Sequence, residues 1–368
     1  MAKTLMAVDA GTGSVRAVLF SLEGEQLGCV QQEWTHREDP RYPGSMDFDW
    51  VHNWDLARGC IRGVIEQTGV DPHDIAAVST TCMREGIVLY DKDGQEIWAC
   101  ANVDARSDDE VAQLVHMNPE LEKQIYRESG QTYALGAVPR LFWVKNKMPE
   151  VYEKTAMCTM FNDWLIYKMT GVFSSEPSNA CTTGIFDLKA RDWDDQIAAS
   201  IGLKTGIFPK ISECGTVVAQ VGAKGAAETG LAEGTPVVAG GGDAQLGCVG
   251  VGVVDANQAA IFGGSFWQYE YNTDEAKTDE HCRVRVNCHS VPGIWQYEAL
   301  AFKPGMVMRW YRDAFCQYEK ELSKTTGRDP YDLMNEKAKD IPAGCYGMMC
   351  AFSDVMNYIS WRHASPMF

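Results

Sequence analysis

The stretch that most constrains this chain is GGGDAQLG at residues 240–247. A short apolar run at 236–239 leads into it and reads as a buried strand. Three glycines follow, which admit backbone geometry and close approaches that side chains would block. Residues 244–249 can open a helix, so Asp243 stands near a positive helix end. An Asp held there beside a pocket is a candidate general base, and a plain helix cap fits this stretch equally well.

A second glycine loop near the N-terminus favours the first reading. Residues 5–8 form an apolar run ending at Asp9, and Gly11, Thr12, Gly13 and Ser14 follow. Residues 15–20 are rich in β-formers, and 26–34 give a third strand. A dinucleotide-binding fingerprint needs a helix directly after its glycines and a third glycine. Here a strand follows and Arg16 stands near the glycine's place, so that reading is poor. A glycine-hydroxyl hairpin suits phosphate oxygens instead, with Asp9 beside a hydrated Mg²⁺; an ordinary tight hairpin is the plain alternative. Past Asp243, residues 258–262 and 266–271 form another strand pair around Gly263, Gly264 and Ser265, an echo of the first unit. Two such hairpins with an acidic glycine loop between them suit a nucleotide held across a cleft between two similar halves.

Between these units, Asp49 caps a helix with Val51, Trp54, Ile61, Val64 and Ile65 inward and Gly69 as its stop. Residues 75–82 read as a buried strand delivering Met83, Arg84 and Glu85 to its carboxyl end, where open α/β sheets bind ligands. The pair Arg84-Glu85 reads either as hydroxyl binders or as a solvated ion pair. Strands at 87–90 and 95–98 flank the turn Asp91-Lys92-Asp93-Gly94, and Asn102, Asp104 and Arg106 follow as polar groups past an apolar strand. Residues 108–170 are mostly helical, ending at Gly171. A strand-like stretch stands at 347–352. HCRVRVNCH (281–289) matches no zinc spacing and reads as a strand.

The 368 residues suffice for about two domains, and the net charge of −17 argues against nucleic acid or an anionic membrane as partner. No apolar run reaches the roughly 18 residues that span a bilayer. Asp9 comes too early for a secretion signal, so the 13 cysteines read as reduced thiols of a cytoplasmic protein. The residues leave a homodimer open.

Together these motifs resemble the FGGY family of carbohydrate kinases. DAGTGSVR (9–16) resembles its first phosphate motif, GGGDAQLG its catalytic-base motif and FGGSFW (262–267) its second phosphate motif. Within the family, CMREGIVLY, IWACANVDAR and MRWYRDAFC are similar to the bacterial autoinducer-2 kinases. The resemblance implies an α/β, two-domain actin/hexokinase-like (RNase H-like) fold: an N-terminal domain over 1–254 and a partial C-terminal domain over 255–368. It implies ATP and Mg²⁺ as cofactors, with Gly11, Thr12, Gly13, Ser14, Gly263, Gly264 and Ser265 at the phosphates. Asp243 would be the base, Asp9 and Asp243 would lie at the metal, and Met83, Arg84, Glu85, Asn102, Asp104, Asp243 and Gln245 would line a sugar-like substrate. The implied substrate is dihydroxypentanedione, with a pentulose or polyol, or a non-catalytic sugar- or nucleotide-binding remnant, as alternatives. Family members continue past the position of Phe368 into the segment seating adenosine. The expectation is therefore weak ATP binding and low activity for these residues alone.

Overall fold

The computed structural model describes residues 3–134, 136–263, 267–301 and 304–348. Strands β1 (Thr4–Ala10), β2 (Ser14–Ser21) and β3 (Gln26–Glu33) form the expected meander. The helix Trp50–Thr68 then packs on β2 and β3. Its start is fixed by the Asp49 carboxylate accepting the His52 amide, and its end by Gly69 in the left-handed conformation. Trp54, Ala57, Ile61 and Val64, spaced three and four apart, are its buried stripe. Val51 departs from expectation: it is 64% exposed, at the rim of a surface cleft with Asp49 and Trp50.

The chain returns as β4 (Ile75–Cys82), and β5 (Ile87–Tyr90), β6 (Glu96–Cys100) and β7 (Met157–Thr159) form a small sheet in the order β6-β5-β7. The strand β7 interrupts a region expected to be helical. Three residues carry no readable period, and pairing with β5 gives them their form. The helix Phe161–Thr170 lays Phe161 and Trp164 against Phe48, joining both sheets in one core. A two-residue hairpin, β8 (Phe186–Asp187) and β9 (Asp192–Trp193), precedes β10 (Val217–Gln220) and β11 (Pro236–Gly242).

The main sheet runs β10-β11-β4-β1-β2-β3, with β1, β4 and β11 mutually parallel. In register, Asp9 lies beside Thr81 and Thr81 beside Gly241; Ala10 lies beside Cys82 and Cys82 beside Gly242. All three parallel strands therefore end at one edge, where such sheets bind ligands. Adjacent strands lie about 4.8 Å apart, so the turn after β1 and the residue after β11 stand roughly 10 Å apart across that edge.

A second sheet, β12 (Ala259–Gly263), β13 (Trp267–Thr273), β15 (Trp295–Ala301) and β14 (Arg285–Cys288) in that order, is antiparallel throughout. The strand expected around Arg283-Val286 is thus found two residues later. One face of this sheet carries buried polar rows, Asn272–Gln296–Asn287 and Glu270–Glu298–Arg285. Of the stretch expected as a strand near the end, Cys345–Gly347 is a single helical turn and residues 349–352 lie outside the described residues.

His289, just after β14, is fully buried. Its Nδ1 accepts the Val291 amide at 2.8 Å, which leaves Nε2 to donate to the Val253 carbonyl at 3.1 Å. That tautomer is neutral, and burial pushes its pKa from 6.5 down to about 4. The unfolded imidazole binds a proton more readily than the folded one, so stability is lost as pH falls from about 6.5 towards 4, by roughly 3 kcal/mol. Urea unfolding at pH 7 and pH 4.5 checks this: a His289→Gln variant should lose less stability between the two pH values than the natural chain.

Candidate active site

The three glycines before Asp243 each admit a different neighbour. A Cβ on Gly240 would lie 1.5 Å from the Thr80 carbonyl oxygen of β4. One on Gly241 would lie 2.8 and 2.9 Å from the Ser178 and Ser290 hydroxyls, and one on Gly242 would meet the Arg84 stem at 2.9 Å. The strand runs through all three residues, and the helix Asp243–Gly250 starts at the aspartate. Ser178 accepts the Gly242 amide at 3.0 Å and donates to the buried Glu176 carboxylate at 2.7 Å, which pins the backbone one residue before Asp243. The Asp243 side chain keeps 45% of its surface yet sits deep among protein atoms, and this desolvation raises its pKa to about 6. Arg84, with Nε at 3.5 Å, works against the shift; the charges of Glu85 and Asp9 add to it.

Asp9 ends β1 at the same edge. Arg16 on β2 holds it with Nε at 2.9 Å and Nη2 at 2.8 Å, which tempers the rise in pKa that burial causes. In the turn that follows, the carbonyl oxygens of Gly11, Thr12 and Gly13 accept from Trp34, and His36 also bonds Thr12. Gly13 faces open space: a Cβ there would meet nothing within 4 Å. Asn102 donates to the Thr12 hydroxyl at 3.0 Å, linking the turn to the loop after β6.

Met83, Arg84 and Glu85 follow β4 and are all buried, not a solvated pair. Glu85 holds a left-handed φ of +68°, a costly conformation for a side chain of its size. Arg140 fixes it there by bonding the Glu85 carbonyl, and reaches the carbonyls of Asn102 and Asp104 at 2.7 and 3.0 Å. Asp104 is occupied: Arg106 bonds both its oxygens and the Met46 amide adds a third contact at 2.6 Å. Gln245 is fully buried, with no protein partner for either amide atom among the described residues. Gly263 ends β12, whereas Gly264 and Ser265 lie outside the described residues. The edge thus gathers Asp9, the 11–14 turn, Met83, Arg84, Glu85, Asn102, Asp243 and Gln245.

Sequence reasoning missed the second row of charges. Arg84 Nη1 reaches Glu298 at 2.6 Å, and Arg285 Nη1 reaches Glu85 at 2.7 Å and Glu298 at 3.3 Å. A signal was present. The tetrapeptide WQYE occurs at 267–270 and again at 295–298, and β13 and β15 pair so that the two glutamates stand opposite each other. Among the described residues no set of three or more His, Cys, Asp or Glu gathers as a metal site, the described cysteines are free thiols, and no helix is long and apolar enough to cross a membrane.

Residues 4–250 match the N-terminal domain of the FGGY family of carbohydrate kinases. An autoinducer-2 kinase of Klebsiella pneumoniae subsp. pneumoniae is 47% identical over 365 residues, and one of Escherichia coli (strain SMS-3-5 / SECEC) is 48% identical over the same length. Each alignment covers 99% of this chain and 69% of the relative. Among solved structures, a xylulose kinase from Rhodospirillum rubrum superposes with a TM-score of 0.79 at 22% identity, over 93% of this chain and 68% of that one. A glycerol kinase from Plasmodium falciparum, solved with ADP, gives 0.76 at 17% identity, over 88% and 67%. At those identities the superpositions show the fold, the actin/hexokinase-like architecture of sugar kinases. By sequence match and by fold, this chain belongs to the FGGY family of carbohydrate kinases.

Proposed function

We propose that the chain transfers the γ-phosphoryl group of ATP to a hydroxyl of autoinducer-2 in its open dihydroxypentanedione form. The observation that carries this reading is the register that brings Asp9, Arg84-Glu85 and Asp243 to one sheet edge. Phosphoryl transfer asks mainly for positioning and charge neutralisation. With a pKa of about 6, Asp243 is ionised at neutral pH and basic enough to take the acceptor's proton. In support, relatives 47% and 48% identical across nearly the whole chain bear the name autoinducer-2 kinase.

The residues also fit the cofactors. Mg²⁺ keeps several waters and needs only one or two carboxylates beside the phosphates. Asp9 and Asp243 supply two, and the Asp9 charge adds to the rise in the Asp243 pKa. In the 11–14 turn the carbonyls that would repel phosphate already have donors, and Gly13 leaves room for a close approach. When bound, MgATP supplies the transferable phosphoryl group. Around it Arg84, Glu85 and Gln245 bind and orient the acceptor, and Asp243 takes its proton. We place the boundary between the two halves near residue 254, between the Asp243 helix and β12.

Purified chain incubated with MgATP and dihydroxypentanedione, D-xylulose or glycerol, with ADP release followed, tests the reading. Release faster with dihydroxypentanedione than with the other two supports it. Faster release with D-xylulose would move the substrate to a pentulose, and no acceptor-dependent release would overturn it.

A further inference from the structure

We propose that Arg285 and Glu298, carried by the second sheet, are positioning residues of the acceptor site, holding Arg84 and Glu85 in the poses from which they bind a sugar hydroxyl. The inference rests on the kinase reading, which gives Arg84 and Glu85 that task. Four buried charges alternate along a line: Glu85, Arg285, Glu298, Arg84. The second and third come from β14 and β15, neighbours in register in the second sheet. The first and last leave β4 in the main sheet.

Distances decide which partner governs Arg84. Glu298 lies 2.6 Å from its Nη1, whereas Asp243 lies 3.5 Å from its Nε. The guanidinium is therefore held from the second sheet and only leans towards the proposed base. Glu85 has the same arrangement in mirror image. Its backbone is fixed by Arg140, but its carboxylate takes its charge partner, Arg285, at 2.7 Å. Arg285 is itself steadied by Gln131 at 2.7 Å. Opposite Glu298 on β13, the Glu270 carboxyl is fully buried, and burial together with the Glu298 charge raises its pKa well above the ordinary carboxylate value. Removing one member of a buried ion pair leaves the other uncompensated, and an uncompensated charge moves or recruits water. Without Glu298, Arg84 would swing towards Asp243, and Arg285 would lose one of the two carboxylates it bridges while keeping Glu85 and Gln131. The geometry of the acceptor pocket thus depends on a sheet that need not touch the acceptor.

The test is calorimetric binding of dihydroxypentanedione, D-xylulose and glycerol, with MgATP binding measured in parallel. Loss of the buried charge that pairs with Arg84 and Arg285 should make Glu298→Gln weaken acceptor binding about 10- to 100-fold while MgATP binding stays within about twofold. Glu298→Asp, which keeps the carboxylate, should recover part of that loss. Arg285→Lys keeps the charge but cannot bridge two carboxylates and Gln131; it should weaken acceptor binding in the same direction, and serves if Glu298→Gln does not fold. Arg283→Gln, two residues away but exposed and paired with Asp279 at the surface, should bind acceptor as the natural chain does. If the natural chain binds an acceptor and both Glu298→Gln and Arg285→Lys bind it equally well, this inference alone is overturned. Equal loss of acceptor and MgATP binding in both variants also overturns it, because that is the mark of a merely structural role. If the natural chain binds no acceptor, the kinase reading falls and this inference with it.

Discussion

Replacing Asp243 with Asn will lower acceptor-dependent ADP release by about 10²- to 10⁴-fold, the usual contribution of a positioned base. Acceptor affinity should change little, because Asn keeps the shape and an acceptor oxygen. The fold should not suffer. In the native chain the Asp243 pKa is raised from 3.8 to about 6, so at pH 7 ionisation in the folded state costs stability that Asn recovers. The side chain is nearly half exposed, so solvent screening reduces that gain to roughly 1 kcal/mol or less. A melting temperature equal to or above that of the natural chain, with turnover lost, separates a chemical role from a structural one. Unchanged turnover would remove Asp243 from the mechanism.

Gly240→Ala is the substitution expected to harm the fold most. Its Cβ would sit 1.5 Å from the Thr80 carbonyl oxygen, and a backbone atom inside a sheet cannot step aside as a flexible side chain can. The cost should exceed about 4 kcal/mol, the range kept for gross steric conflict, and show as insoluble or unfolded protein. Gly13→Ala is the matching control. It changes a glycine of the other motif where a Cβ meets nothing within 4 Å, so its melting temperature should stay within the equivalent of about 0.5 kcal/mol. A Gly240→Ala chain as stable as the natural one would mean that β4 and β11 do not approach as described.

These two glycines show what was legible in the sequence and what was not. The motif 240–247 marks a place where the backbone must be bare, and the strand-to-helix passage at Asp243 follows from the apolar run before it. Which atom fills the space above each glycine depends on Thr80, Ser178 and Arg84, brought there by strand pairing across more than a hundred residues or, for Ser178, by the short helix Pro177–Ala180. The same division runs through the rest. The helix Trp50–Thr68 was readable because its cap, stripe and stop are all local. The strand β7 was not, because three residues become a strand only when β5 is alongside. Arg84 and Glu85 were legible as candidates from their place at a strand end. That they are buried could not be read, because it depends on Arg285 and Glu298 arriving from another sheet. Alternation marked Arg283 and Arg285 alike, yet one is exposed and the other is 2% exposed. Asp104 shows the converse: a polar residue after a strand looked available, and Arg106 and Met46 have taken its oxygens.

The proposed function requires one arrangement: the Asp243 carboxylate facing the 11–14 turn across the edge of the main sheet, with an alcohol held between them. The most direct measurement is a crystal structure of the protein with Mg²⁺, a non-hydrolysable ATP analogue and dihydroxypentanedione. The account expects the terminal phosphate over the 11–14 turn and an acceptor hydroxyl within about 2.6–3.2 Å of the Asp243 carboxylate, the reach a general base requires. A phosphate seated away from that turn, or an acceptor bound with no hydroxyl near residue 243, would contradict it.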